Sequence, residues 1–422
     1  MPRPAAATSP RCWPSSGPTG SICTGWVCGD GRGAGVSPGK RLRVAVAGLG
    51  VIAQTVHLPL LERRRDLFEL VAVADLSPSR AREVGGRYGV PERCRLVDGA
   101  ELLDVAGLDA VLLLTSGSHG DLAAAALRRG VPVFCEKPLA HTRAEAAELA
   151  PLAAGEDRLM VGYMKQYDPV VVELARRLDR IGGAGAVHAV EVTVLHPSGG
   201  SQLAAHRLAP APTDADGERV RGLRERADEL LTRAVGPDPA VRALYQIMIN
   251  SVSHDLSLLR LLTGAPGTVQ HVALWPAEPA PGHEPSVEVS GELPAGGRYG
   301  IRWLYLPDYP GYRETVTLHH ARGSFELVFP TPYRPDRPAT LTVRDGDDGD
   351  DGDDGVERRC VHRGNVSAFE RQLVAFHAMV TTGAPPRTGL AGGTADIVTS
   401  QQVVRRFGEL TGTAVGGEAA TG

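Results

Sequence analysis

Between residues 43 and 163 the chain alternates short, continuous apolar runs with segments whose apolar positions recur at helical spacing. The runs at 43–47, 70–74, 110–114, 131–135 and 158–163 read as strands, and the segments 51–64, 78–88, 120–129 and 142–154 as helices. Strands that are apolar throughout and separated by helices predict a parallel sheet covered on both faces. The pattern then changes. A helix at 169–178 leads into longer strands at 187–195, 269–275, 286–293, 299–306, 314–319, 324–329 and 340–344, mostly joined by hairpin-type turns. The expected fold class is therefore an α/β domain with a parallel sheet followed by an α+β domain with a large, mostly antiparallel open sheet.

Three stretches fall outside this pattern. Residues 1–40 are rich in Pro, Gly, Ser and Arg without periodicity and read as a disordered leader, or even as an upstream extension of the reading frame. Residues 197–240, rich in Ala, Arg, Asp and Pro with a helical stretch at 218–234, read as an insertion over one end of the second sheet. The run 345–355 is nearly all Asp and Gly; it lacks the ligand spacing of a calcium loop and reads as a solvated hairpin tip. The domain division expected is 41–162 and 163–415.

Charge and cysteine usage narrow the function. With 45 basic and 49 acidic side chains and a net charge of -4, no footprint for nucleic acid or a membrane surface is indicated. No apolar stretch approaches the ~18 residues of a spanning helix, and no signal-peptide core is present, which makes the cytoplasm the expected compartment. The six cysteines form no Cys-x-x-Cys pair, so neither a metal site nor a disulfide framework is expected. A small-molecule partner remains.

The first strand ends in Gly48-Leu49-Gly50-Val51-Ile52-Ala53 and runs into a helix, the G-x-G-x-x-A form of the dinucleotide fingerprint. Gly48 permits the turn, Gly50 lets a pyrophosphate approach the backbone, and Ala53 allows close helix packing. Asp75 ends the second strand, where a carboxylate accepts from the adenosine ribose hydroxyls. That acid favours NAD; Arg80, on the next helix and expected to turn to solvent, leaves NADP as the alternative. A second signal is compositional: lysine occurs only at Lys40, Lys137 and Lys165. In so Arg-biased a chain a retained lysine points to a need for an amine. Lys137 follows the strand ending at Cys135, at the edge of the parallel sheet where ligands bind.

Together with the fingerprint, the loop Thr115-Ser116-Gly117-Ser118-His119, Glu136-Lys137-Pro138 and the segment from Gly162 through Tyr163, Lys165, Tyr167 and Asp168 to Pro169 resemble the Gfo/Idh/MocA oxidoreductases, the glucose-fructose oxidoreductase and inositol dehydrogenase group. The resemblance runs from Leu42 to about Leu410. It implies a Rossmann domain, a second domain with a large open sheet, NAD or NADP as cofactor, and reversible oxidation of a hydroxyl on a polyol-like sugar or cyclitol. It also implies a homodimer or homotetramer paired through the open sheet face.

Carried over residue by residue, the resemblance makes Lys137 and His254 catalytic, with Asn250 on the same helical face where inositol dehydrogenase-like members have Asp. Asn cannot take up a proton, so Lys137 or His254 must carry the transfer, and the expected mechanism gives it to Lys137, its amine lowered by desolvation and by a charged His254 or the cofactor. Cofactor contacts fall on Gly48, Gly50, Val51, Ile52, Asp75, Thr115, Ser116, His119, Glu136 and Lys137. Lys165 and Tyr167 read equally as substrate contacts or as a domain-joining hydrogen-bond cluster, beside Asn250 and His254 as substrate contacts. His196 and His206 border the insertion and read as incidental. Two rival functions stay open: a glycosidase or lyase that uses NAD only transiently, and a non-catalytic nucleotide sensor.

Overall fold

The computed structural model describes residues 22–27, 41–153, 158–276, 283–334, 337–346 and 357–421. The apolar runs of the first half form a six-stranded, all-parallel sheet in the order Arg95–Leu96, Phe68–Ala74, Leu42–Ala47, Ala110–Leu113, Val133–Cys135, Leu159–Val161. Its inner strands are buried over their length because helices cover both faces: Val44, Val46, Leu112 and Phe134 pack to one side, Ala45, Val111, Leu113 and Cys135 to the other. Such a sheet collects the loops after its strands along one edge, which is where a ligand is held.

The second sheet has nine strands, in the order Ile22–Val27, Glu357–Gly364, Thr340–Gly346, Gly323–Pro330, Arg313–His320, Val187–His196, Arg298–Tyr305, Ser286–Glu292, Val269–Trp275. Most pairs are antiparallel, as the hairpin turns indicate. Val187–His196 is the exception at the centre: it pairs antiparallel with Arg313–His320 and parallel with Arg298–Tyr305, because over 90 residues separate it from that partner. Alternate residues Val190, Val192 and Val194 point into the core, where they meet Leu244, Ile249, Leu256 and Leu259 of the helices on that face.

Two expectations are corrected here. Part of the supposed leader, Ile22–Val27, is an edge strand parallel to Glu357–Gly364; the rest of it lies outside the described residues, as does most of the acidic run at 345–355. Backbone pairing, which carries no side-chain periodicity of its own, accounts for the strand. The division at residue 162 is also crossed. Helix Ala368–Thr382 lends Leu373, Phe376 and Met379 to the core beneath the parallel sheet, and Gln372 Nε2 and Thr388 Oγ1 both donate to the Val161 carbonyl, at 3.0 and 2.7 Å.

Within the insertion, Asp216 caps helix Gly217–Val235 by accepting from the Arg219 N–H at 2.8 Å. The buried residues of that helix, Leu230, Leu231, Ala234 and Val235, all lie in its last two turns. Among the described residues no helix is long and apolar enough to cross a membrane.

Candidate active site

The glycine loop has the geometry its residues imply. Gly48 has φ +88°, and a Cβ there would lie 2.7 Å from the Thr115 nitrogen, so no other residue fits. A Cβ on Gly50 would meet nothing within 4 Å: its open side is the space a pyrophosphate needs. Asp75 accepts from the Leu49 N–H at 2.9 Å and from the Ser77 N–H at 3.0 Å, which ties the loop to the end of the second strand. Arg80, expected to turn to solvent, instead reaches back to within 3.9 Å of the Asp75 carboxylate, drawn by its charge.

Glu136 and His119 hold loops together. Glu136 Oε1 lies 2.8 Å from His57 Nε2 in a buried pair, and a Cβ on Gly162 would sit 3.0 Å from the Glu136 carboxylate. Burial pushes that carboxyl up, but the hydrogen bond and charge of His57, with Lys137, outweigh it and leave it below its ordinary range. His119 Nδ1 lies 2.7 Å from the Pro138 carbonyl and Nε2 3.0 Å from that of Thr115; burial favours the neutral ring, which can donate to only one of them at a time. Thr115 and Ser116 are exposed at the cleft edge.

Next to this edge opens a cavity of about 850 Å³ lined by Lys137, Lys165, His196, Asn250, His254 and Trp303, among others. Lys137 Nζ donates to the backbone carbonyl of Asn250 at 2.5 Å. Asn250 lies in the π-helical turn Met248–Val252, in which Ser253 N–H reaches back five residues to Met248 and Ser253 Oγ donates to Ile249 O at 2.9 Å. Burial, and the charge of Lys165, push the Lys137 amine below its ordinary value, Glu136 opposing. His254 is pushed far down by burial, then by Lys165 and Lys137, and its Nδ1 is buried without a partner. The expected charged His254 beside Lys137 is thereby corrected: the ring is neutral at neutral pH, and the cation that depresses Lys137 is Lys165.

Lys165 lies at the floor of the cavity, buried, paired with the Glu314 carboxylate and 3.9 Å from Asp255, with the Phe329 ring centre 5.2 Å away. Tyr312 donates to the same Glu314 oxygen at 2.6 Å. Burial and the Glu314 charge raise the Asp255 carboxyl well above its ordinary value. Tyr167, taken as a substrate contact, does not line the cavity. Its hydroxyl accepts from the Arg387 N–H at 3.1 Å and meets Thr388 Oγ1 at 3.3 Å, because its ring fills the core beneath the parallel sheet. His196, read as incidental, lines the cavity with its ring centre 4.9 Å from that of Trp303; His206 lies 2.6 Å from the Tyr333 carbonyl.

Residues 42–163 match the family model GFO_IDH_MocA, described as an oxidoreductase family with an NAD-binding Rossmann fold. Inositol 2-dehydrogenase 4 of Saccharopolyspora erythraea is 34% identical over 177 residues, which are 41% of this chain and 47% of that protein. The chain thus spans about half the length of the curated relatives it matches. Among the solved structures with a similar fold are two that cover most of the chain. One is an aldose-aldose oxidoreductase from Caulobacter crescentus complexed with glycerol, at TM-score 0.63 and 20% identity, covering 88% of this chain and 98% of that one. The other is an inositol dehydrogenase homologue from Azotobacter vinelandii complexed with NADH and myo-inositol, at TM-score 0.59 and 19% identity, covering 87% and 95%.

Proposed function

We propose, from the match of residues 42–163 to the Gfo/Idh/MocA NAD-binding family model, that the chain is an NAD(P)-dependent oxidoreductase acting on a secondary hydroxyl of a sugar, cyclitol or related small molecule, with NAD preferred. One observation carries this reading. Lys137, at the ligand-binding edge of the parallel sheet, meets Asn250 and His254 from the other half of the chain around a single cavity. The residues fit the dinucleotide: Gly50 is open to it, and Asp75 stands where ribose hydroxyls donate.

When bound, the nicotinamide supplies the hydride acceptor or donor. The chain orients the reacting carbon and manages the proton. With its amine lowered by burial and Lys165, Lys137 takes the hydroxyl proton in oxidation and returns it in reduction. His254, neutral, offers a ring nitrogen to the same hydroxyl. The Asn250 side chain cannot accept a proton. Lys165, fixed by Glu314, keeps positive potential under both groups and so favours their neutral forms.

The purified protein, assayed for co-purifying nucleotide and against cyclitols, sugars and amino sugars with NAD and NADP, tests this reading. Cofactor reduction or oxidation with one of them supports it. Nucleotide binding without turnover on any of them overturns it in favour of a sensor, and substrate conversion with no net cofactor change in favour of a hydrolase or lyase. The same reading places the protein in the cytoplasm as a homodimer or homotetramer joined through the outer face of the nine-stranded sheet, which light scattering checks.

A further inference from the structure

The insertion does not simply cap the second sheet; it reaches across to the nucleotide-binding half. Three of its side chains land on segments that follow three successive strands, at the carboxyl edge of the parallel sheet. Asp214 meets the loop after strand Phe68–Ala74, accepting from Ser77 Oγ at 2.5 Å and from the Ser79 N–H at 2.9 Å. Arg219 pairs with Asp98, after Arg95–Leu96, at 2.6 Å, and Arg226 with Asp121, after Ala110–Leu113, at 3.3 Å. The first two contacts lie at the adenosine end of the dinucleotide cleft, and the third lies across the switch point from them.

The groups that Asp214 engages have a particular chemistry. Ser77 is the N-cap of helix Pro78–Arg87, its Oγ accepting from the Arg80 N–H at 3.1 Å, and Ser79 N–H is free of the helical ladder. A hydroxyl, an unpaired N–H, a helix N-terminus and the neighbouring Arg80 are the donor set that a ribose 2′-phosphate would take beside Asp75. Here a carboxylate of the chain itself already occupies two of those donors. The hydrogen bonds from Ser77 and Ser79 hold the Asp214 carboxyl below its ordinary range, so it is charged at neutral pH.

We propose that Asp214 is a specificity-determining residue that the insertion carries onto the adenosine end of the cleft, where it satisfies the 2′-phosphate donors internally and refuses NADP. The inference rests on the dinucleotide reading above and extends it to a residue the fingerprint does not contain. The charge of Asp75 disfavours a 2′-phosphate by repulsion alone; Asp214 also removes the donors. The segment that carries it is held on this side by polar contacts, with no buried residue in the first half of helix Gly217–Val235, so substitution at Asp214 leaves the core untouched.

Calorimetric binding of NAD, NADP and 2′,5′-ADP to the full chain, the Asp214→Ala variant and the Asp214→Asn variant tests this without any assay of turnover. The expected result is a fall in the NADP:NAD dissociation-constant ratio of about tenfold or more in Asp214→Ala, about 1.4 kcal/mol. Asp214→Asn, which keeps a hydrogen-bond acceptor without the charge, should lie between, and 2′,5′-ADP should follow NADP. NAD affinity stays near the wild-type value. A ratio unchanged in both variants, with NAD still bound, overturns the role of Asp214 and leaves the oxidoreductase reading standing. Wild-type protein that binds neither nucleotide overturns both.

Discussion

Lys137 Nζ and the Asn250 carbonyl oxygen lie 2.5 Å apart although 113 residues separate them in sequence. The contact uses the backbone of Asn250, so it survives any side chain at that position. It ties the strand end of the nucleotide domain to a helix of the other half and fixes the amine at the cavity wall.

Lys137→Arg is the most exposed test of the proton-transfer assignment. A guanidinium keeps the charge but does not deprotonate near neutral pH. Turnover should fall by roughly two to four orders of magnitude, with nucleotide binding by fluorescence quenching little changed. Near-wild-type turnover would move the role to His254.

His254→Ala should cut turnover by about 10²-fold or more, whereas Asn250→Ala should cost less than about tenfold because Lys137 holds the carbonyl and not the amide. Steady-state kinetics on both variants makes the comparison. Equal losses would mean that the Asn250 amide touches the substrate.

The fingerprint glycines should separate by mechanism. Gly48→Ala places a methyl against the Thr115 backbone at positive φ, so it should lower the melting temperature measurably. Gly50→Ala meets no protein atom and should melt like the wild type while weakening NAD binding, because its methyl takes the space of the pyrophosphate. Thermal melts and calorimetry with NAD distinguish the two.

Acid stability depends on buried histidines. Burial lowers His141 to about 4, so between that value and the unfolded value near 6.5 the unfolded chain binds the extra proton. Stability is therefore lost as pH falls from about 6.5, on the order of 3 kcal/mol from this one ring by pH 4. His141→Gln should flatten the loss: denaturant melts at pH 8 and pH 5 should show a smaller difference than in the wild type. An unchanged difference would show that other groups dominate.

What could be read from the chain beforehand was what is written locally. Gly48, Gly50 and Asp75 act through their own backbone and one neighbouring strand, and Lys137 stood out because lysine is scarce. Lys165 was visible for the same reason, but its partner Glu314 lies 149 residues on and shows only as one polar position in an alternating strand. Tyr167 misled because it shares a motif with Lys165, yet the turn Met164–Tyr167 aims its ring into the core. Helices Ala368–Thr382 and Leu390–Thr411 are not legible as surface helices; each buries more than one side, and Thr, Gly and Ser blur the stripe that marks a surface helix. Asp214 had no signal at all, since its meaning comes only from the loop it lands on.

The π turn at Met248–Val252 also sets the phase of everything after it. A helix advances about 100° per residue. Deleting one residue there would restore a regular ladder and rotate His254 by more than a quarter of a revolution, away from the cavity, while Leu244 and Tyr245 ahead of the turn stayed where they are. The irregularity works as a vernier between a scaffold that must pack and a side chain that must aim.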